Sequence, residues 1–402
     1  LPIDAWRLIS TPAVLNETGL TQVFDELGTQ DNTVWRVFRY DDVSNTYKDN
    51  PVDLNSTESY WIYQKTEDNL TMDTPAGKTG DMAGTEITLK TGWNFIGSPY
   101  PFQVPLQLDQ VQFYGPLTYG ISGESWSPVV TELDPWNGYV VYNRMSTDQI
   151  ITLDPSIGSG TTVARKVEEN GWLVSLDLSS GTHGDHINTL GALETAEDAL
   201  EWHDNPEIRS PGSGVSLFFK LEGEALELTS DIRSLSQQVN VWDMHIRSDT
   251  DSDVDLSWSV IQDLPADVDI RLVDLSTRKV LNMKSETQLF FGTLDSRYDR
   301  RVKIVAGDES DVAAKIGDVL SMIPEELSIS GNYPNPFNPS TTIIYGLPEP
   351  RNVRMTIVNI RGQQIAELVS GWKDMGQHEV VWNGRNDDGS SLSSGIYFVV
   401  IN

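Results

Sequence analysis

Two phrases in the first 157 residues each occur twice, and this repeat limits the possible folds more than any other feature. Trp6-Arg7-Leu8-Ile9-Ser10-Thr11-Pro12 returns as Trp93-Asn94-Phe95-Ile96-Gly97-Ser98-Pro99. Ser59-Tyr60-Trp61-Ile62-Tyr63-Gln64 returns as Gly138-Tyr139-Val140-Val141-Tyr142-Asn143. The copies close on Leu70-Thr71-Met72-Asp73 and Ile151-Thr152-Leu153-Asp154. Solenoids need about three or more units, so two copies predict a paired β module, with repeats at 1–80 and 81–157. Within the first copy, Trp35 and Val37 alternate with Arg36 and Phe38 as in a strand, after a helical turn over Val23 to Leu27.

Further along, Trp172, Val174, Leu176 and Leu178 share one strand face, as do Trp242, Met244 and Ile246, and Val254, Leu256, Trp258 and Val260. About eight short strands predict an antiparallel Ig-like sandwich over 158–309. Asp185 to Gly214 reads as a polar surface loop with one helical turn near Glu194 to Trp202. Residues 310–327 place Val312, Ile316, Val319, Leu320 and Ile323 at helical spacing. Ser310 or Asp311 is the expected N-cap and Pro324 the stop, so a linker helix competes with an extended linker. Residues 328–402 read as a small terminal β domain centred on Trp382. The predicted class is all-β and multidomain.

Composition narrows the function. The formal net charge is −31, with 59 acidic side chains against 28 basic ones. Nearly all of the excess lies before residue 328, and such a surface repels nucleic acid and anionic lipid headgroups. No apolar run approaches the roughly 18 residues of a membrane-spanning helix. The chain has no cysteine, which excludes disulfides, thiol nucleophiles and thiolate metal sites. It opens at Leu1 with neither Met nor a signal peptide, so it reads as a processed chain or part of a longer protein.

Catalytic motifs are incomplete. Gly120-Ile121-Ser122-Gly123-Glu124 misses the nucleophile elbow by one position. His183-Gly184-Asp185-His186 offers two imidazoles, for which His203 or Asp204 is the one suggested third ligand, and His245 reads as a solvated strand residue. The expectation is no enzymatic activity, with a catalytic domain upstream of Leu1 left open. No cofactor is expected other than Ca²⁺, for which Asp249, Asp251, Asp253 and Asp255 are the candidate carboxylates. That run lacks an EF-hand's sixth-position glycine and twelfth-position glutamate. Trp61, Tyr63, Trp126, Trp136, Tyr139 and Tyr142 could stack on sugar rings if they formed an exposed row.

The most distinctive phrase is Asn332-Tyr333-Pro334-Asn335-Pro336-Phe337-Asn338-Pro339-Ser340-Thr341. Three prolines in six residues remove three backbone donors, and an extended segment is expected to lead into the strand that follows. Leu347-Pro348, Arg361-Gly362-Gln363, Val381-Trp382-Asn383-Gly384 and Ser394-Gly395-Ile396-Tyr397-Phe398 follow in order. Together these resemble the C-terminal sorting domain of type IX secretion cargo, and are similar to the Ig-like domain of flagellar hook-capping proteins. The resemblance covers about residues 328–402 and implies a small Ig-like sandwich. It also implies routing through a secretion translocon via this C-terminal domain, with Asn332 to Pro339 as its sorting motif, and a protein secreted by, or displayed on the outer membrane of, a Gram-negative-type bacterium. Members of that family continue past the Tyr397-Phe398 strand into a further strand ending in basic residues, which is expected to be missing beyond Asn402. The resulting expectation is a structural or adhesive surface region. The alternatives are a polysaccharide-binding module, the accessory part of a larger secreted enzyme, and a subunit that assembles with its own copies into a surface layer or filament.

Overall fold

The computed structural model describes residues 1–44, 46–66, 69–120, 125–156, 169–208 and 214–402. Strands dominate throughout, and the architecture is all-β and multidomain. The chain forms two compact units. The first holds Leu1–Gln237, Met244–Pro265 and Thr287–Ser296; the second holds Gln238–Asp243, Ala266–Glu286 and Arg297–Asn402.

In the first unit, the opening repeat makes an antiparallel sheet in the order Arg7–Ile9, Tyr60–Gln64, Trp35–Asp41, Thr46–Asp49. The second repeat places Gly92–Ile96, Tyr139–Asn143 and Phe113–Leu117 in the matching order. The helical turn is split into a helix over Leu20–Val23 and a 3-10 turn over Asp25–Leu27. Each repeat has its own core. Trp35, Val37, Tyr60 and Ile62 build the first, and Leu89, Tyr139, Val141 and Leu153 build the second. A third core lies between them and takes Trp61 and Val140 from the opposite faces of the same strands. The strands Tyr60–Gln64 and Tyr139–Asn143 are therefore covered on both sides, which explains their unbroken apolar runs.

The repeats meet reciprocally. Ile9 bridges Asn137, and Ile96 bridges Glu58. Ser10 N–H donates to the Trp136 carbonyl at 2.9 Å, and its counterpart Gly97 N–H donates to the Thr57 carbonyl at 2.9 Å. Gly138 N–H donates to the Leu8 carbonyl, and its counterpart Ser59 N–H donates to the Phe95 carbonyl. Equivalent residues thus exchange equivalent bonds across a local two-fold, the pattern of an isologous dimer contained in one chain. The internal bonds repeat as well. The Tyr60 hydroxyl accepts from Asn55 N–H at 2.6 Å, and the Tyr139 hydroxyl accepts from Asp134 N–H at 2.6 Å.

The rest of the first unit is one continuous ladder. It runs from Val215–Lys220 through Glu227–Ser234, His183–Leu193, Gly171–Ser180 and Ser252–Gln262 to Gln288–Leu294. Trp172, Val174, Leu176 and Leu178 all point into its core. Several of its strands have ten or eleven residues, longer than expected, and Thr189–Leu193 runs parallel to Ser230–Ser234. The expected loop from Asp185 is corrected by the strand His183–Leu193. Asp185 and Asn188 are buried and bonded: Asp185 Oδ2 accepts from Leu217 N–H at 2.7 Å, and Asn188 Oδ1 accepts from the Thr229 hydroxyl at 3.2 Å. Glu194 to Trp202 forms turns and bends instead of a helical turn. Val260 is 54% exposed, so the inward face of its strand ends at Trp258.

In the second unit, Asp269–Asp274 lies between Lys279–Asn282 and Arg300–Gly307. The helix Glu309–Ser321 follows, capped by Asp308 instead of Ser310 or Asp311, and Glu309 and Asp311 in its first turn complement the helix dipole. The terminal domain comprises two three-stranded sheets. Ser328–Tyr333, Thr341–Leu347 and Gly376–Trp382 form one; Gln364–Lys373, Arg351–Asn359 and Tyr397–Ile401 form the other. Ile343, Tyr345, Val353, Met355, Ile357 and Trp382 fill the space between them. Met375 joins Val273, Leu275 and Ile323 in a separate apolar cluster.

Candidate functional site

The candidate site is the Asn332 to Pro339 motif, whose first two residues end the strand Ser328–Tyr333 and whose remainder forms the loop to the strand Thr341–Leu347. Beyond Tyr333 the chain bends instead of continuing as the expected extended segment. The Asn332 side-chain amide donates to Thr341 Oγ1 at 3.1 Å, and that hydroxyl donates to the Pro334 carbonyl at 2.8 Å. Thr341 is 3% exposed, so this clasp is sheltered and its base is fixed. The peptide bonds before Pro334, Pro336 and Pro339 are cis.

Above the clasp the motif faces outward. Tyr333 is 81% exposed, and Pro334, Asn335, Pro336, Asn338 and Pro339 are exposed as well. Phe337 is the ring that turns in, with its centroid 5.2 Å from that of Trp382. Gly384 makes this possible. Its backbone has φ +69°, and a Cβ there would sit 3.2 Å from the Pro339 carbonyl and 3.4 Å from the Phe337 ring. Trp382 is held by its indole N–H, which donates to the Arg385 carbonyl at 3.0 Å, and by an edge contact with Tyr397. A recess of about 320 Å³ opens beside the loop, lined by Asn332, Asn335, Phe337, Trp382, Ile396 and Tyr397. It offers apolar rings flanked by amides, a composition suited to seating a peptide segment or side chain.

The other sequence candidates do not converge in this way. Asp251 Oδ1 accepts from the Ser296 amide and hydroxyl, both at 2.9 Å, and Asp253 Oδ1 accepts from the Thr293 hydroxyl at 2.5 Å. Asp249 Oδ2 accepts from Gly214 N–H, while Asp255 lies on the exposed face of its strand. The four carboxylates reach different neighbours, which corrects their reading as one Ca²⁺ site. Among the described residues, the acidic group whose oxygens do gather is Asp25, Glu26 and Asp73.

The sugar-stacking row also requires correction. Trp61 is 0% exposed, Tyr139 1% and Trp126 7%, because their strands are buried on both faces or covered by neighbouring rings. Trp126 also donates its indole N–H to the Ile208 carbonyl at 3.1 Å. Tyr63, Trp136 and Tyr142 are half-buried; Tyr63 packs on Trp6 and Tyr142 on Trp93. The near-elbow over Ile121 to Glu124 lies outside the described residues. His245 is buried against Phe218 instead of solvated.

The sequence offered His203 and Asp204 only as a third ligand beside His183 and His186, with no sign that they lie in a buried ionisable cluster of the first unit. His203 sits between Glu169, at 2.9 Å, and Glu201. Nearby, burial pushes the Asp204 carboxyl up to about 7, against opposing bonds from the Ile232 and Glu201 amides. Burial likewise pushes Asp231 up to about 6, with Arg233 pulling the other way. The Glu201, His203 and Asp204 spacing was the available signal, but acidic residues are too abundant here for spacing alone to mark it.

Comparison with known proteins supplies one assignment. Residues 339–402 match the FlgD Ig-like domain family. A search of curated proteins found no match, and a search of solved structures found none either. The terminal domain is accordingly an Ig-like domain, and the family match begins at the last proline of the exposed loop.

Proposed function

We propose that the chain is a non-catalytic structural or adhesive region of a secreted or surface-displayed protein, and that its terminal Ig-like domain is the element read by an export machinery of the type IX kind. The observation that carries this reading is the Asn332 to Pro339 loop. It is clasped at its base and exposed along its proline face, and it borders a recess floored by Phe337 and Trp382. A rigid, donor-poor loop costs little ordering entropy when a receptor binds it. The near-neutral terminal domain contrasts with an acidic body, which suits a recognition element joined to a soluble cargo.

Mass spectrometry of the protein recovered from cell surface, medium and periplasm tests the reading. Surface or medium recovery is expected. Accumulation in the periplasm with residues 328–402 intact would contradict it.

A further inference from the structure

The seam between the two repeats opens into a cleft of about 330 Å³ that no sequence motif marks. Three aromatic residues line it: Tyr40 stacks on the buried Phe95 with centroids 4.7 Å apart, and Trp93, like Tyr40, is partly exposed. Two ion pairs stand on its walls. Arg39 meets Glu58 at 2.8 Å, and Lys90 meets Asp42 at 2.8 Å. The cleft is also fixed in shape, because Glu58 bridges Ile96 within the reciprocal contact of the repeats.

These features select a ligand class. Each wall cation is matched by a carboxylate and Glu86 adds a third acid to the lining, so the cleft presents donors and acceptors with no positive charge left to hold an anion. The acidic surface around it disfavours phosphate or nucleotide. The polar walls disfavour a purely apolar ligand. A ring-shaped polyol satisfies both parts, with its C–H face against Tyr40 and Trp93 and its hydroxyls on paired side chains that already order one another. The volume lies near the lower end of small-molecule sites, about 300 Å³, and fits a short segment.

We propose that this cleft binds a short stretch of a neutral saccharide. The assignment uses Arg39, Tyr40, Trp93 and Lys90 in place of the buried Trp61, Trp126 and Tyr139. It stands independently of the export role of the terminal domain.

Isothermal titration of the intact chain with cellopentaose, xylopentaose, mannopentaose and maltopentaose tests it, with trigalacturonate as the charged probe. At least one neutral pentasaccharide should bind with Kd between about 10 μM and 1 mM. Arg39→Ala and Lys90→Ala should each weaken that binding at least about 5-fold, since each removes about 1 kcal/mol or more of contact. Both pairs are exposed, so these variants should keep the wild-type urea midpoint. Arg354→Ala, on the terminal domain, should bind as wild type. The proposal is overturned if no neutral probe binds below about 10 mM, if both cleft variants bind as wild type, or if trigalacturonate binds most tightly.

Discussion

The reciprocal seam predicts a specific vulnerability at Gly97 and its counterpart Gly138. An alanine at 97 would place its Cβ 2.5 Å from the Glu58 carbonyl oxygen and 2.7 Å from the Ser10 Cβ. Non-bonded contact needs about 3.5 Å, so the strands must part by about 0.8–1 Å. Glu58 cannot retreat freely, because its bridge to Ile96 and the Gly97 to Thr57 hydrogen bond lie at the same point. Overpacking of this kind costs about 1–3 kcal/mol. At Gly138 the added atom would lie 2.6 Å from the Ser59 Cβ and 2.8 Å from the Ile9 carbonyl, so a similar loss is expected there. Urea unfolding followed by tryptophan fluorescence reads the effect. With a slope of about 2–3 kcal/mol per molar, each variant should lower the midpoint by about 0.3–1.5 M. The double variant should depart from the sum of the two, because both added methyls press on the same Ile9–Ser10 and Glu58–Ser59 segments and parting the seam once relieves both. If both single variants stay within about 0.5 kcal/mol of wild type, the repeats do not meet as closely as described and the two-fold seam is wrong.

Four other outcomes follow from the same structure. Gly317→Ala lies inside the helix Glu309–Ser321 with open space around its Cβ, and calorimetry should show a gain of about 0.5–1 kcal/mol. Trp382→Ala removes a 4% exposed ring from the terminal core and should cost about 3–5 kcal/mol in denaturant unfolding. Asp204 has its folded pKa raised to about 7 from 3.8, so its contribution to stability is full below pH 3.8 and is lost as pH rises to about 7. That loss is about 4 kcal/mol, and Asp204→Asn should flatten the decline between pH 4 and 7 in a denaturation series. Thr341→Val removes the clasp on the Pro334 carbonyl for about 1 kcal/mol of stability, yet should cut secreted yield severalfold by immunoblot of the medium.

Much of the fold was legible because strand alternation is local. Trp172 to Leu178 and Trp242 to Ile246 point inward as their spacing requires. The helix was legible from its spacing, while its N-cap position fell at Asp308, whose carbonyl accepts from the Asp311 and Val312 amides. The strand at His183 was hidden because Asp185 and Asn188 look solvent-seeking until partners at Leu217 and Thr229 are in place. The aromatic row failed for a related reason. Alternation assigns Trp61 to the face opposite Tyr60 and Ile62, but only tertiary packing shows that this face is also covered. The aspartate run resembled a metal loop because its real partners, Thr293 and Ser296, lie some forty residues away. At the terminal domain the proline motif located the site, whereas the clasp and the Phe337 contact with Trp382 required the fold.

In the proposed role, the terminal domain is the determinant of export. The direct measurement expresses the intact chain and a chain ending at residue 327 in a bacterium with a type IX system, and quantifies each in periplasm, surface and medium by mass spectrometry. The intact chain should reach the surface or medium while the shortened chain stays in the periplasm. Equal surface and medium yields of the two chains would contradict the central claim.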